Sequence, residues 1–191
     1  MKYVRILGLA ALASAALMAM TGAASATSLT SPSGTIYTST IKGENEGAIT
    51  LTSVFGGFGA VSCKKSSFEG KVENHGAGVT TIWTITVLIF SECTGGTPRS
   101  PVEKPGSMEF HWFGLQVTTK NLILIIDKTA FGTCTFTAPS TGSSLGTLTM
   151  SSETGGKATI DIKGTLPSAC GSATLEGSYV ITTPSTLYAD S

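Results

Sequence analysis

The chain has 191 residues, of which only 13% are charged, and its 12 basic residues balance 12 acidic ones. That charged share is about half of what soluble proteins usually carry, and Ser, Thr and Gly take its place, as suits exposed strand faces and tight turns. No basic stripe or charged tail is present, which argues against nucleic acid as a partner.

The first 26 residues have the pattern of a cleavable secretory signal peptide. Lys2 and Arg5 give a basic start, residues 6–20 are apolar or small without a charge, and Ala24 and Ala26 occupy the positions that a signal peptidase recognises. The uncharged run is short for a helix that crosses a ~30 Å hydrocarbon core. We therefore expect a signal-peptide helix, cleavage after Ala26, and a single extracytoplasmic domain over residues 27–191 with no membrane span.

The first half of that domain predicts short strands joined by polar turns. Four of them form two hairpins and cover residues 34–41, 48–53, 60–64 and 68–73. The turn of the first hairpin falls at residues 42–47. In the last of these strands, Phe68 and Val72 face one side, and Glu69, Lys71 and Glu73 face the other.

Residues 80–90 predict the longest strand. Apolar side chains alternate on both of its faces, which is typical of a central strand covered on both sides. Residues 94–106 contain Pro98, Pro101 and Pro105 and predict an irregular loop. Residues 122–126 are continuously apolar and too short for a stable helix, so they predict a buried strand.

The second half shows cleaner alternation. Three runs, at residues 134–138, 147–150 and 158–162, predict an antiparallel meander. A last strand over residues 173–182 places Leu175, Tyr179 and Ile181 inward. About ten strands without helices predict an all-β domain, either an antiparallel two-sheet sandwich or a partly closed barrel.

Four cysteines remain after the leader: Cys63, Cys93, Cys134 and Cys170. An even count in an exported chain indicates disulfides. Three pairings are possible, and the similar arrangement of the two halves favours Cys63–Cys93 with Cys134–Cys170. The four thiols lack the usual spacing of zinc ligands, so we expect neither a metal nor a cofactor.

No complete catalytic constellation is visible. The segment 142–146 matches G-x-S-x-G, but a nucleophile elbow needs a helix after the serine and a histidine later in the chain. Here a strand follows Ser144, and both His75 and His111 precede it. Glu109 and His111 share one strand face, but two ligands do not make a metal site. We therefore expect no catalytic residues.

The acidic and aromatic residues can be explained by solvation and core packing as well as by function. A glycosidase needs two carboxyl groups across a cleft. The candidate residues are Glu44, Glu46, Glu69 and Glu73. The first two suit a solvated turn, and the last two suit an outward strand face. A sugar-binding aromatic platform remains an alternative, formed from Trp83, Trp112, Tyr37, Tyr179 and Tyr188. Trp83 lies in the most apolar strand and fits the core better.

Three segments carry a resemblance to known sequences. They are residues 29–37, residues 61–73 and residues 183–188, and with the leader they resemble a group of secreted bacterial proteins of unknown function. The likeness covers nearly the whole mature chain. The four-cysteine, Ser/Thr/Gly-rich layout is also distantly similar to secreted alkane-oxidation activator and biofilm-associated proteins. This resemblance implies an extracellular, surface or matrix role and transfers no functional residue.

Two classes of function stay open from the sequence. The first is a non-enzymatic protein of the bacterial envelope or extracellular matrix that is adhesive, structural or ligand-binding, with an unidentified extracellular or cell-surface partner. Exposed sheet edges would let such a protein pair with other chains. The second is a secreted hydrolase or a carbohydrate-binding module, which requires polar groups brought together by the fold.

Overall fold

The computed structural model describes residues 28–30, 36–53, 59–73, 81–111, 116–149 and 157–190. These ranges contain thirteen strands: β1 (Ser28–Thr30), β2 (Thr40–Ser53), β3 (Ala60–Glu73), β4 (Thr81–Thr94), β5 (Thr97–Pro98), β6 (Ser107–His111), β7 (Gln116–Lys120), β8 (Ile123–Thr129), β9 (Gly132–Thr137), β10 (Ser143–Thr149), β11 (Thr159–Leu166), β12 (Ala173–Thr183) and β13 (Tyr188–Asp190). The all-β prediction is confirmed, and the predicted leader lies outside the described residues. Across these ranges, no helix is long and apolar enough to cross a membrane.

Eight of the strands form a closed antiparallel barrel. Their order is β10, β11, β12, β2, β3, β4, β6 and β7, and the pairing of β7 with β10 completes the ring. A three-stranded sheet, β5–β8–β9, stands outside this ring, and β1 pairs with β13. Of the two predicted architectures, sandwich and barrel, the structure has the barrel, with a small second layer.

The small sheet packs against the parts of β2, β3, β4 and β12 that extend beyond the short strands β6 and β7. Pro98, Leu124 and Ile126 face Leu51 and Val61 of the barrel strands, and a cavity of only about 10 Å³ remains between the two layers. That volume is about what one water molecule needs. The second layer therefore extends the core, and its packing continues that of the barrel.

A row of aromatic side chains fills the barrel interior. Tyr179 meets Phe68 edge to face at 5.4 Å between ring centroids, Phe68 stacks on Trp83 at 6.4 Å, and Trp83 lies 4.0 Å from Phe110. All four are almost fully buried. Aromatic pairs of this kind stabilise by roughly 0.5–1.5 kcal/mol beyond their buried area. Trp83 therefore belongs to the core, as its apolar strand predicts.

The two predicted hairpins of the first half are wrong in their turns. Residues 42–47 and residues 65–67 lie inside strands, so β2 and β3 each run unbroken for 14 residues and pair with one another. Lys42, Glu44 and Glu46 alternate on the outer face of β2, so their charges mark a solvated strand face. Gly43 faces inward, where an added Cβ would lie 2.4 Å from the Phe68 ring.

Strand β4 is covered on one face only, contrary to the prediction of two covered faces. Trp83 and Ile85 are buried, and Leu88 and Phe90 are buried after them, because the pairing with β3 shifts by one residue opposite Glu69. This bulge moves the inward set from odd to even positions. Ile89 is left on the outer wall with 39% of its surface exposed.

The second half keeps its predicted faces but not its predicted meander. Cys134 and Phe136 are buried, as are Ile160 and Ile162, and residues 122–126 and 173–182 contain the expected strand residues. However, β9 pairs with β8 in the small sheet, whereas β10 pairs with β11 and β7 in the barrel. Alternation assigns a face to each residue and leaves the partner strand undetermined.

One disulfide and one ion pair hold the small sheet in place, and a second disulfide joins two barrel strands. The two disulfides have the pairing that the sequence favours: Cys63–Cys93 joins opposed residues of β3 and β4, and Cys134–Cys170 joins β9 to the segment after β11. The guanidinium of Arg99 binds Asp127 of β8, with Nε 2.9 Å from Oδ2. Hydrogen bonds from this guanidinium and from Thr133 hold the pKa of Asp127 below its usual value.

We predict that replacing both cysteines of either disulfide by Ala lowers the free energy of unfolding by about 3–4 kcal/mol, because the closed loops span 30 and 36 residues. Urea denaturation measures this loss. Amide hydrogen exchange distinguishes the two bonds: loss of Cys134–Cys170 should accelerate exchange in β8 and β9 more than in β2 and β3. Equal acceleration in both sheets would contradict the placement of this bond.

Candidate functional site

The residues that the sequence offers for catalysis do not converge in the structure. Ser144 lies exposed in β10, which continues to Thr149 and pairs with β7 and β11, so the helix that an elbow requires is replaced by a strand. The carboxylate of Glu109 is 2.7 Å from Nζ of Lys120. Among the described residues, no three His, Cys, Asp or Glu side chains lie close enough together to hold a metal ion. His75 and Trp112 fall outside the described ranges.

The remaining candidates separate into core and outer wall. Tyr179 is buried with Trp83, and the hydroxyl of half-buried Tyr37 donates to the carbonyl of Thr40. Glu44 lies on the outer face of β2, where a turn is predicted. Glu69 lies on the outer face of β3, as predicted, and binds Lys42 at 2.8 Å. The outer wall thus gathers polar residues that the sequence leaves scattered.

A groove of about 440 Å³ opens on this wall beside the junction of β2 and β3. Its lining consists of Glu44, Asn45, Lys64, Lys65, Ser66, Ser67, Ile89 and Ser91. A second hollow of about 240 Å³ shares Glu44, Ser67 and Ile89 with it and continues toward Lys42 and Val87. We call the two together the outer-wall trough. The first volume lies within the ~300–1,000 Å³ that is usual for ligand sites.

A break in the pairing of β2 with β3 creates the trough. Glu44 opposes Ser67 and Ile49 opposes Cys63, so β2 contains one more residue than β3 between these points. The carboxamide of Asn45 fills the gap: its Nδ2 donates to the carbonyls of Gly47 and Lys64, and its Oδ1 accepts from the Ser66 amide at 2.7 Å. Asn45 thereby replaces the missing backbone pairing and fixes the trough floor.

Under the floor, a buried hydroxyl pair connects the trough to the barrel core. The Ser66 hydroxyl donates to the carbonyl of Ile89 at 2.8 Å and lies 2.6 Å from the Tyr179 hydroxyl. Because Ser66 has a single hydroxyl proton, Tyr179 is the donor in the second bond. Burial raises the pKa of Tyr179 well above its usual value. The floor is therefore rigid and neutral at physiological pH.

The charges of the trough balance one another. Lys42 binds Glu69, and Lys65 binds Glu92, whose pKa is lowered chiefly by the hydrogen bond from Lys65. Glu44 and Lys64 take part in none of the ion pairs within the described ranges. One carboxylate and one ammonium, both exposed, are thus available to a ligand.

Comparisons of the chain with protein-family models, with curated proteins and with solved structures find no match. Any role of the trough is therefore inferred from its own residues. The two disulfides are typical of extracytoplasmic proteins.

Sequence reasoning missed the trough, although a signal for it exists. Lys64 and Lys65 are consecutive exposed residues between buried Cys63 and buried Ser66, so the alternation of β3 changes phase there. On β2, Gly47 has a positive φ of 78° within the same irregular stretch. A phase change in one strand beside a Gly-containing acidic stretch in its neighbour is typical of a bulge. When only the alternation of polar and apolar residues is considered, the same residues predict two separate hairpins instead of two long strands with a bulge.

We predict that stability declines above about pH 10, because Tyr179 must lose its proton in the unfolded chain before it does so in the folded one. The stabilisation is fully present below the unfolded pKa and is lost as pH rises toward the raised folded pKa. Urea denaturation across this pH range measures the decline, and Tyr179→Phe should flatten it. Burial also raises the pKa of Tyr37, so a smaller decline remains in the variant.

Tyr188→Phe is the matched control, because this half-buried tyrosine lies in β13 and is not part of the hydroxyl pair of Ser66 and Tyr179. It should retain the decline of the unsubstituted protein. An unchanged pH profile in Tyr179→Phe would contradict the role given to this hydroxyl.

Proposed function

We propose that this chain is a non-enzymatic, secreted bacterial protein of the cell envelope or extracellular matrix, and that it binds its ligand through the outer-wall trough. The observation that supports binding is the trough itself. It has the size of a ligand site, lies on a rigid barrel wall and is lined by exposed polar groups. The aromatic row occupies the barrel interior, so a ligand would meet the outer wall and not a lumen in this part of the barrel.

The leader and the disulfides support export. Residues 1–26 have the basic, apolar and small-residue regions of a signal peptide. Both disulfides form within the mature domain, and such bonds persist in oxidising compartments. Together they favour an extracytoplasmic location, in the periplasm, at the cell surface or beyond it.

The carboxylates of the trough favour binding over hydrolysis. A glycosidase needs two carboxyl groups about 5–10 Å apart, one of them able to give up a proton. Lys42 binds the carboxylate of Glu69 and Lys65 binds that of Glu92, so an ammonium group already occupies each of them. Among the described carboxylates that line the trough, Glu44 alone lies outside these pairs, so a second carboxylate free of a lysine does not accompany it.

We predict that the protein co-sediments with cell-wall material and leaves it intact. The full chain should be expressed with its leader in an exporting bacterium, and the purified product incubated with washed cell-wall sacculi. N-terminal sequencing should begin at Thr27. Most of the protein should appear in the pellet, without release of reducing sugars or peptides.

A double variant, Glu44→Lys with Ile89→Lys, should remain in the supernatant, because it places two ammonium groups in the trough. Phe131→Lys is the matched control, since Phe131 is an exposed apolar residue that is not in the trough lining, and it should sediment normally. Release of reducing sugars that stops in Glu44→Gln would instead show a hydrolase. Failure of the unsubstituted protein to sediment would overturn the cell wall as the material that it binds.

A further inference from the structure

The trough places its side chains in a regular lattice, because three adjacent barrel strands supply them in register. Glu44 of β2 opposes Ser67 of β3, and Ser67 opposes Ile89 of β4. The next row is formed in the same way by Lys42, Glu69 and Val87. Opposed residues on one face of a sheet lie about 5 Å apart. The spacing of these groups is therefore fixed by the backbone.

This lattice is polar on one side and apolar on the other. Val87 and Ile89 follow each other on the outer face of β4 and form a short apolar strip. Across from them, Glu44 offers a hydrogen-bond acceptor, Lys64 offers a donor, and Ser67 offers a hydroxyl that does both. A ligand that fits must combine a hydrocarbon face with many hydroxyl groups.

The charge balance narrows the ligand class further. Two of the lysines and two of the glutamates in and beside the trough neutralise each other, and Glu44 and Lys64 carry opposite charges. A surface of this kind has no net field to attract a polyanion or a polycation. Hydroxyl groups, in contrast, both donate and accept, so a neutral polyol satisfies the carboxylate and the ammonium at once.

The shape of the trough indicates a chain. The two hollows share Glu44, Ser67 and Ile89 and extend in different directions from them, so the trough is elongated and open to solvent. A monosaccharide would leave most of it empty. A linear polymer can lie along it and repeat the same contacts at successive sugar units.

We propose that the outer-wall trough binds a segment of a neutral, linear polysaccharide. The C–H face of a pyranose ring packs on Ile89 and Val87, and its hydroxyl groups bind Glu44, Ser67 and Lys64. This inference rests on the proposed binding function and assigns its ligand class. It makes the trough a polysaccharide site without an aromatic platform, since aliphatic side chains supply the apolar contact.

Isothermal titration of the exported, disulfide-bonded protein with cellohexaose and chitohexaose tests the proposal, with oligogalacturonate as the charged comparison. At least one neutral hexasaccharide should bind more tightly than the acidic oligomer. Raising NaCl from about 0.05 M to about 0.5 M should change that affinity less than about twofold, because no net charge is involved. Ile89→Asp should weaken binding about tenfold or more, through loss of the apolar contact and introduction of a charge.

Ser67→Ala should weaken binding about fivefold, which corresponds to one hydrogen bond, and Glu44→Gln should have a smaller effect because the amide keeps an acceptor oxygen. Phe131→Asp is the matched control for Ile89→Asp, being an exposed apolar residue that is absent from the trough lining, and it should bind as the unsubstituted protein does. Circular dichroism and urea denaturation show that each variant is folded before titration.

The outcomes separate the ligand class from the binding function. If cell walls sediment the protein but neither neutral hexasaccharide binds, or if only the acidic oligomer binds, the polysaccharide assignment is wrong and the binding function stands. Binding that Phe131→Asp weakens as much as Ile89→Asp would overturn the trough as its location. If the protein binds neither cell walls nor any oligosaccharide, both proposals fall.

Discussion

Closure of the barrel by the pairing of β7 with β10 is the constraint on which the rest of the structure depends. Without it, β7 and β10 would be open edges, and the aromatic row would face solvent. With it, eight strands satisfy one another's backbone groups, and the inward side chains form a continuous core from Tyr179 to Phe110. Because the packed core holds the strands of the outer wall in place, a shallow trough on that wall can have a fixed shape.

Three irregularities of this barrel shape the trough, whereas the register shift of β10 against β7 lies on other strands. The extra residue in β2, the phase change at Lys64 and Lys65, and the register shift of β4 opposite Glu69 all lie beside the trough. Each bulge is compensated locally: Asn45 substitutes for lost ladder bonds, and Ser66 holds the carbonyl of Ile89. The shift in β4 also brings Ile89 to the surface. The same irregularities that obscure the strands in the sequence therefore build the candidate site.

The sequence predicts the fold class and the inward faces because these depend on local alternation. The buried sets around Phe136, Ile160 and Ile181 follow directly from residues two positions apart. The pairing of the cysteines also agrees with the apparent similarity of the two halves. Local alternation contains no information on which strands become neighbours, so the separation of β9 from β10 and the closure of the ring are not predictable from it. The trough needs three strands in register and two bulges, so no segment of the sequence contains it.

The small sheet also differs from the expectation of exposed, pairing-competent edges. The Arg99 amide donates to the carbonyl of Ile125 on one side of this sheet, and the Thr137 amide donates to the carbonyl of Pro167 on the other. The first bond extends the pairing of the central strand β8 past the short β5, and the second covers an edge position of β9, where association with other chains would otherwise be favoured. On this sheet, adhesion of the kind that we propose would therefore depend on surface side chains more than on unpaired backbone groups.

The neighbours β2 and β12 are far apart in the chain, as the hydrogen bond from Thr50 to Glu176 across 126 positions illustrates. The barrel wall cannot assemble until both segments are present, and folds dominated by such distant contacts form slowly. For a chain exported as we propose, slow folding is an advantage, because a translocation channel accepts unfolded polypeptide. The same pairing of distant strands that makes the folded wall rigid would thus also keep the newly made chain unfolded until its last strands have crossed the membrane.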